Sequence, residues 1–142
     1  MKKIVYIDGI FDLFHRGHLE SLIKAKNVYN DPDNTLLMVG IVGDKDAENY
    51  KRLPIIKQGD RLKIIESLKI VDNVLCPCPL KIDMNFVERY KIDLVVHSFF
   101  DEKDREKQSE FFKELIDNDK FKEIDYYKGT STSDIINKIK LL

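Results

Sequence analysis

Only two cysteines occur among the 142 residues, Cys76 and Cys78, and a single proline separates them. They cannot staple a domain of this length, and Cys-Pro-Cys-Pro lacks the C-x-x-C spacing of a zinc site, so both are expected to be reduced and structural. Charge of one sign is lacking too: 24 basic and 25 acidic residues leave a net charge of −1, which excludes a broad electrostatic surface for nucleic acid. Any anion site must therefore be built locally. No apolar run reaches the roughly 18 residues of a membrane-spanning helix. Met1-Lys2-Lys3 leads straight into a strand-like run without the apolar core of a secretion signal, so a cytoplasmic protein is expected. The length suits one domain, taken as residues 1–142, with enough chain to bury a core.

Short runs rich in β-branched and aromatic residues predict strands over Lys3–Ile7, Thr35–Val42, Asn73–Cys76, Asp93–His97 and Lys122–Tyr127. Between them, apolar positions three and four apart predict helices over Gly17–Tyr29, Gly59–Ile70, Met84–Tyr90, Arg105–Ile116 and Ser133–Leu141. Strict alternation of the two implies an α/β fold, Rossmann-like, with a parallel sheet of about five strands and helices on both faces. In such folds ligands sit beyond the carboxyl ends of the strands, where strand order reverses. The unusual segments Asp8–His18, Gly43–Lys51, Pro77–Asp83, His97–Asp101 and Lys128–Asp134 each follow a predicted strand, which puts them on that one edge.

The first of these segments reads Asp8-Gly9-Ile10-Phe11-Asp12-Leu13-Phe14-His15-Arg16-Gly17-His18. Two histidines three apart, just before the periodic run Leu19, Leu22, Ile23, share one face of a helix's first turn. Free N–H groups there, with the positive end of the helix dipole, suit phosphate oxygens, and the imidazoles can add donors or positive charge. The same pair could simply cap the helix or meet a buried carbonyl. A metal site lacks further ligands. Near the other end, Thr132-Ser133-Asp134 before Ile135-Ile136 resembles a helix N-cap.

D-G-x-F-D-x-x-H-x-G-H after a strand resembles the signature of the cytidylyltransferases, within the nucleotidyltransferase superfamily. Val39-Gly40-Ile41-Val42-Gly43-Asp44, Tyr50-Lys51, Asp60-Arg61, Val71-Asp72, Tyr90-Lys91-Ile92-Asp93, His97 and Gly129-Thr130-Ser131-Thr132-Ser133-Asp134 follow in that family's order and cover essentially the whole chain. The pattern is most similar to the catalytic domain of enzymes that activate phosphocholine and phosphoethanolamine with CTP, and more loosely to the glycerol-3-phosphate enzyme.

The resemblance implies transfer of CMP from CTP to a phospho-alcohol, giving a CDP-alcohol for phospholipid synthesis, with pyrophosphate leaving. It implies His15, His18 and Lys51 as catalytic residues. Gly9, Ile10, Phe11, His97, Lys128, Gly129, Thr130, Ser131 and Thr132 join the two histidines in binding nucleotide. Asp44, with Lys51, is expected at the phospho-alcohol, where the carboxylate would meet a cationic amine; it could equally cap the next helix. Arg61 is either a family arginine or a helix-face partner of Glu66 or Asp60, and Lys51 read alone is a solvated loop lysine. Mg²⁺ would arrive with the triphosphate, without a dedicated protein metal site. A homodimer is implied, no nucleic-acid partner is expected, and the sequence up to Leu142 carries no built-in membrane helix after its last predicted helix, whether such a segment is lacking or lies beyond these residues.

Several positions depart from the family pattern. The expected tryptophan after Cys-Pro-Cys-Pro is Leu80, and the chain has no tryptophan at all. The family's R-T-E-G reads Tyr126-Tyr127-Lys128-Gly129, so its arginine is absent and Lys128 could supply that charge. Lys63 stands where glutamate is usual, and Ser98-Phe99 follows His97 where acids are common. The competing readings are a degenerate member that binds nucleotide without efficient transfer, and a transferase for glycerol-3-phosphate or another nucleotide.

Overall fold

A computed structural model describes residues 1–142. Five strands, β1 (Lys3–Gly9), β2 (Thr35–Val42), β3 (Asn73–Cys78), β4 (Leu94–His97) and β5 (Phe121–Glu123), form one sheet in the order β3-β2-β1-β4-β5. Every pairing is parallel. The helices are α1 (Arg16–Lys26), α2 (Asp44–Tyr50), α3 (Gln58–Glu66), α4 (Met84–Arg89), α5 (Glu102–Asp117) and α6 (Thr132–Lys140), with a 3₁₀ turn at Pro32–Asn34. The expected Rossmann-like architecture is thus what the chain adopts.

Alternation along the strands divides the core. Val5 and Ile7 of β1 join Leu37, Val39 and Ile41 of β2 beneath α1 and α3, where Leu22, Ala25 and Ile65 are buried. Tyr6, Met38 and Val95 point to the opposite face, against Phe86 and Val87 of α4 and Phe112 and Leu115 of α5. Truncating a buried phenylalanine such as Phe112 to alanine would cost about 3–5 kcal/mol. Gly40 permits a close approach inside this core, because a Cβ there would fall 1.9 Å from the Tyr6 hydroxyl.

Two aspartates set the register by the same device. Asp72, one residue before β3, donates its N–H to Leu37 O (2.9 Å) and accepts Leu37 N–H on its carboxylate (2.7 Å). Asp93, one residue before β4, does the same with Ile4, at 2.8 Å both ways. Lys26 adds an ion pair to Asp72 at 2.9 Å.

Most predicted elements fall within a few residues of the observed ones, but three differ. The segment after β2 coils into α2, which buries only Ala47 and so carries no apolar periodicity. β5 is three residues long, and Tyr126 and Tyr127 lie beyond it. At α6 the N-cap is Ser131, whose side chain accepts from Asp134 N–H, and Thr132 is the first helical residue.

Candidate active site

Strand order reverses between β1 and β4, and beyond their carboxyl ends opens a cavity of about 950 Å³. That volume lies within the range of small-molecule sites. The loop from β1 enters it through a strained turn: Phe11 and Leu13 adopt left-handed backbone at φ 57° and 51°. Such conformations in non-glycine residues cost of order 1–3 kcal/mol each and persist where surrounding structure imposes them. The Phe11 ring lies over Gly9, where a Cβ would come within 3.0 Å of it.

His15 caps α1. Its Nδ1 accepts from Gly17 N–H at 3.0 Å, and His18 Nδ1 accepts from His15 N–H at 3.3 Å, a reciprocal capping box built of two imidazoles. The capping reading therefore holds, with Nδ1 of each ring engaged in it. With both Nδ1 atoms accepting, each ring carries its proton on Nε2. The rings stack with centroids 3.9 Å apart. His15 Nε2 lies 3.3 Å from Thr132 Oγ1, which itself donates to Asp12 O at 2.9 Å. Gly17 allows the two helix starts to meet, since a Cβ there would sit 2.8 Å from Thr130 O. The N-termini of α1 and α6 thus face one cavity.

Burial, followed by the fields of His15 and Lys51, pushes the His18 pKa down to about 3. Burial also lowers that of His15, against the pull of Asp134. Near neutral pH both rings are uncharged N–H donors in the free site, the donor alternative of the two read from the sequence. Basic side chains line the cavity as well, Lys51 at the end of α2 together with Arg52, Lys107 and Lys128. Burial lowers the pKa of Lys51, Arg52 adds to that effect, Asp104 opposes it and Lys107 lowers it further.

Arg61 is fully buried and pairs with neither Glu66 nor Asp60. Its guanidinium donates to Ile10 O (2.6 Å), Val42 O (2.8 Å) and Ile56 O (2.9 Å), and to the Asp44 carboxylate at 2.6 Å. It ties the β1 loop, the end of β2 and the loop before α3 into one body. Asp12 completes the tie by accepting Ile55 N–H and Ile56 N–H, both at 2.8 Å. Asp44, expected to meet a substrate amine, does not line the cavity. Its carboxylate faces Arg61 and Gln58 N–H, and these hydrogen bonds outweigh burial and lower its pKa.

Gly9, Ile10, Phe11, His97, Lys128, Ser131 and Thr132 line the cavity with the histidines and Lys51, whereas Gly129 and Thr130 do not. Gly129 sits against the Tyr127 ring instead. Leu80, Ser98 and Tyr126 are lining residues, while Lys63 lies on the outer face of α3 and pairs with Glu66 at 3.5 Å. Asp8, passed over as a site residue, is the acid the cavity offers at the end of β1. It is 9% exposed, receives no hydrogen bond, and lies 3.5 Å from His97 Nδ1, which is itself buried without a hydrogen-bond partner. Its position as the polar interruption ending an apolar strand was the available signal.

No group of three or more His, Cys, Asp or Glu side chains is arranged to hold a metal ion. No helix is long and apolar enough to cross a membrane.

Comparison with known proteins bears on this arrangement. The profile of the Cytidylyltransferase-like family matches residues 6–138. Choline-phosphate cytidylyltransferase A of Mus musculus is 33% identical over 135 residues, covering 95% of this chain and 36% of that protein. Ethanolamine-phosphate cytidylyltransferase of Arabidopsis thaliana is 31% identical over 141 residues, covering 96% of this chain and 32% of that protein. The chain thus spans about a third of the length of these relatives. The crystal structure of the lipopolysaccharide core biosynthesis protein from Thermoplasma volcanium GSS1 superposes with a TM-score of 0.68 at 24% identity, over 92% of this chain and 100% of that one. This last likeness is one of fold.

Proposed function

From the premise that the chain belongs to the cytidylyltransferase-like family, we propose that it transfers CMP from CTP to a phospho-alcohol bearing a cationic amine, phosphocholine or phosphoethanolamine. An oxygen of the acceptor phosphate attacks the α-phosphorus in line. As that P–O bond forms, the bond from the α-phosphorus to the bridging oxygen breaks, and pyrophosphate leaves with the electron pair. No covalent enzyme intermediate is involved. Catalysis consists of bringing two anions together and stabilising the oxygens that gain charge.

The observation that supports this reading most is the stacked pair of neutral imidazoles at the start of α1, beside Lys51. The His18 Nε2–H can donate to a phosphate oxygen of the reacting centre, and the His15 Nε2–H, donated to Thr132 Oγ1 in the free site, can exchange that partner for another, both without charge that would have to be neutralised in the empty site. The Lys51 ammonium offsets the reacting phosphates, and the α6 N-terminus with Lys128 is suited to further phosphate oxygens. Mg²⁺ enters as the counter-ion of the triphosphate. For the amine, Asp8 takes the role first assigned to Asp44, because its carboxylate faces the cavity without a hydrogen-bond donor.

The test is Mg²⁺-dependent pyrophosphate release from CTP with phosphocholine, phosphoethanolamine and glycerol-3-phosphate offered separately. Release with an amine-bearing acceptor is expected. Release only with glycerol-3-phosphate, or with none, refutes the reading. The same reading extends to assembly as a two-fold homodimer, and a monomer mass by sedimentation equilibrium would refute that part alone.

A further inference from the structure

Three lysines line the cavity without an ion-pair partner: Lys51, Lys128 and Lys107. Lys107 was not among the residues expected at the site. It lies on α5, where Asp104, Lys107, Gln108 and Phe111 recur at three- and four-residue spacing and all line the cavity. Its Nζ stands 4.6 Å from the centroid of the Tyr50 ring, which is set edge-on against Phe111 with centroids 5.6 Å apart. A lysine held over an aromatic face has a defined place, unlike one loose in solvent.

The acid on the same helix face is already engaged. Asp104 accepts Phe100 N–H on one oxygen (2.9 Å) and Gln108 Nε2 on the other (2.7 Å). Tyr50 precedes Lys51 directly, so two ammonium groups share one wall of the cavity, and neither has a carboxylate partner there. The field of Asp104 reaches Lys51, but no carboxylate pairs directly with either ammonium, and a phosphate dianion can meet both. Asp8 lies at the end of β1 in the same cavity. A small zwitterion carrying an amine and a phosphate a few bonds apart can reach Asp8 with one end and the two lysines with the other.

We propose that Lys107 binds the phosphate of the acceptor together with Lys51, and that Tyr50 holds it in place. This rests on the transferase reading above. With pyrophosphate release as the assay, K107M should raise KM for the amine-bearing phospho-alcohol about tenfold and leave KM for CTP within about twofold, as expected for a lost charge-assisted contact to one substrate. K107R should recover most of the loss. K103M removes the same charge from the same helix outside the cavity and should resemble the parent. An unchanged acceptor KM in K107M, an equal rise for CTP, or the same defect in K103M overturns the proposal.

Calorimetric titration with inorganic phosphate reads the subsite without turnover. Affinity should be about tenfold weaker in K107M than in the parent, and equal affinities overturn the assignment. A parent that loses phosphate affinity on K107M yet releases no pyrophosphate with any acceptor would refute the transferase reading while leaving the anion site in place.

Discussion

His15 Nε2 lies 3.3 Å from Thr132 Oγ1, joining the first turns of two helices 117 residues apart in the chain. The hydroxyl passes its own proton to Asp12 O, so the contact orients the imidazole toward the cavity as well as closing the fold. Thr132→Val keeps the shape and removes both bonds. Turnover is expected to fall about tenfold, with a stability loss of about 1 kcal/mol for the stranded carbonyl. Steady-state kinetics and urea unfolding on one preparation check both, and an unchanged kcat would remove His15 orientation from the account.

The depressed pKa of His18 has a consequence for stability. In the unfolded chain a histidine binds its proton near pH 6.5, whereas in the fold it does so only near 3. Between these values the unfolded state holds more protons, so this contribution is complete above pH 6.5 and is lost as pH falls toward 3. His18→Gln should flatten the acid side of the stability profile. Denaturant midpoints at pH 7, 5.5 and 4 measure this, and parallel profiles for parent and variant would contradict the burial of an uncharged ring.

Arg61 distributes its donors over three carbonyls and the Asp44 carboxylate from a fully buried position. Arg61→Met leaves those acceptors unsatisfied and Asp44 unpaired, at a cost of about 3–5 kcal/mol. Thermal melting should show a drop of roughly 10 °C or more. A shift of a degree or two would mean that the tie between the loops is redundant.

Asp8 and Asp44 make separable predictions. Asp8→Asn should raise KM for the amine-bearing acceptor about tenfold and leave CTP binding alone, through loss of a charge that meets the amine. Asp44→Asn should instead lower the melting temperature, because it weakens the partner of a buried guanidinium. Exchange of these two phenotypes would restore Asp44 to the substrate and remove Asp8.

The fold was legible where burial writes a period into the sequence. β2 carries an unbroken apolar run and matches its predicted bounds, Thr35–Val42. α2 was not legible, because Asp44–Tyr50 rests on Ala47 alone, and α5 begins earlier than its apolar pattern because Asp101 caps a polar first turn. Tyr126 and Tyr127 read as strand but pack against Phe100 and Arg16 instead. At the site, spacing and resemblance singled out His15, His18 and Lys51, and all three line the cavity. Asp8 offered a signal as the polar end of an apolar strand, whereas Arg61 and Lys107 could not be placed, since a buried tie and a cavity cation look alike until the fold says what surrounds them.

The central claim is that two uncharged imidazoles support cytidylyl transfer in this cavity. Its most direct test is the rate of pyrophosphate formation from Mg²⁺-CTP with saturating amine-bearing acceptor, in the parent and in His18→Ala, alongside circular dichroism. The account predicts equimolar pyrophosphate and CDP-alcohol from the parent, and a rate about a hundredfold or more lower in a variant that keeps its fold. A folded His18→Ala protein that turns over at the parent rate would contradict it.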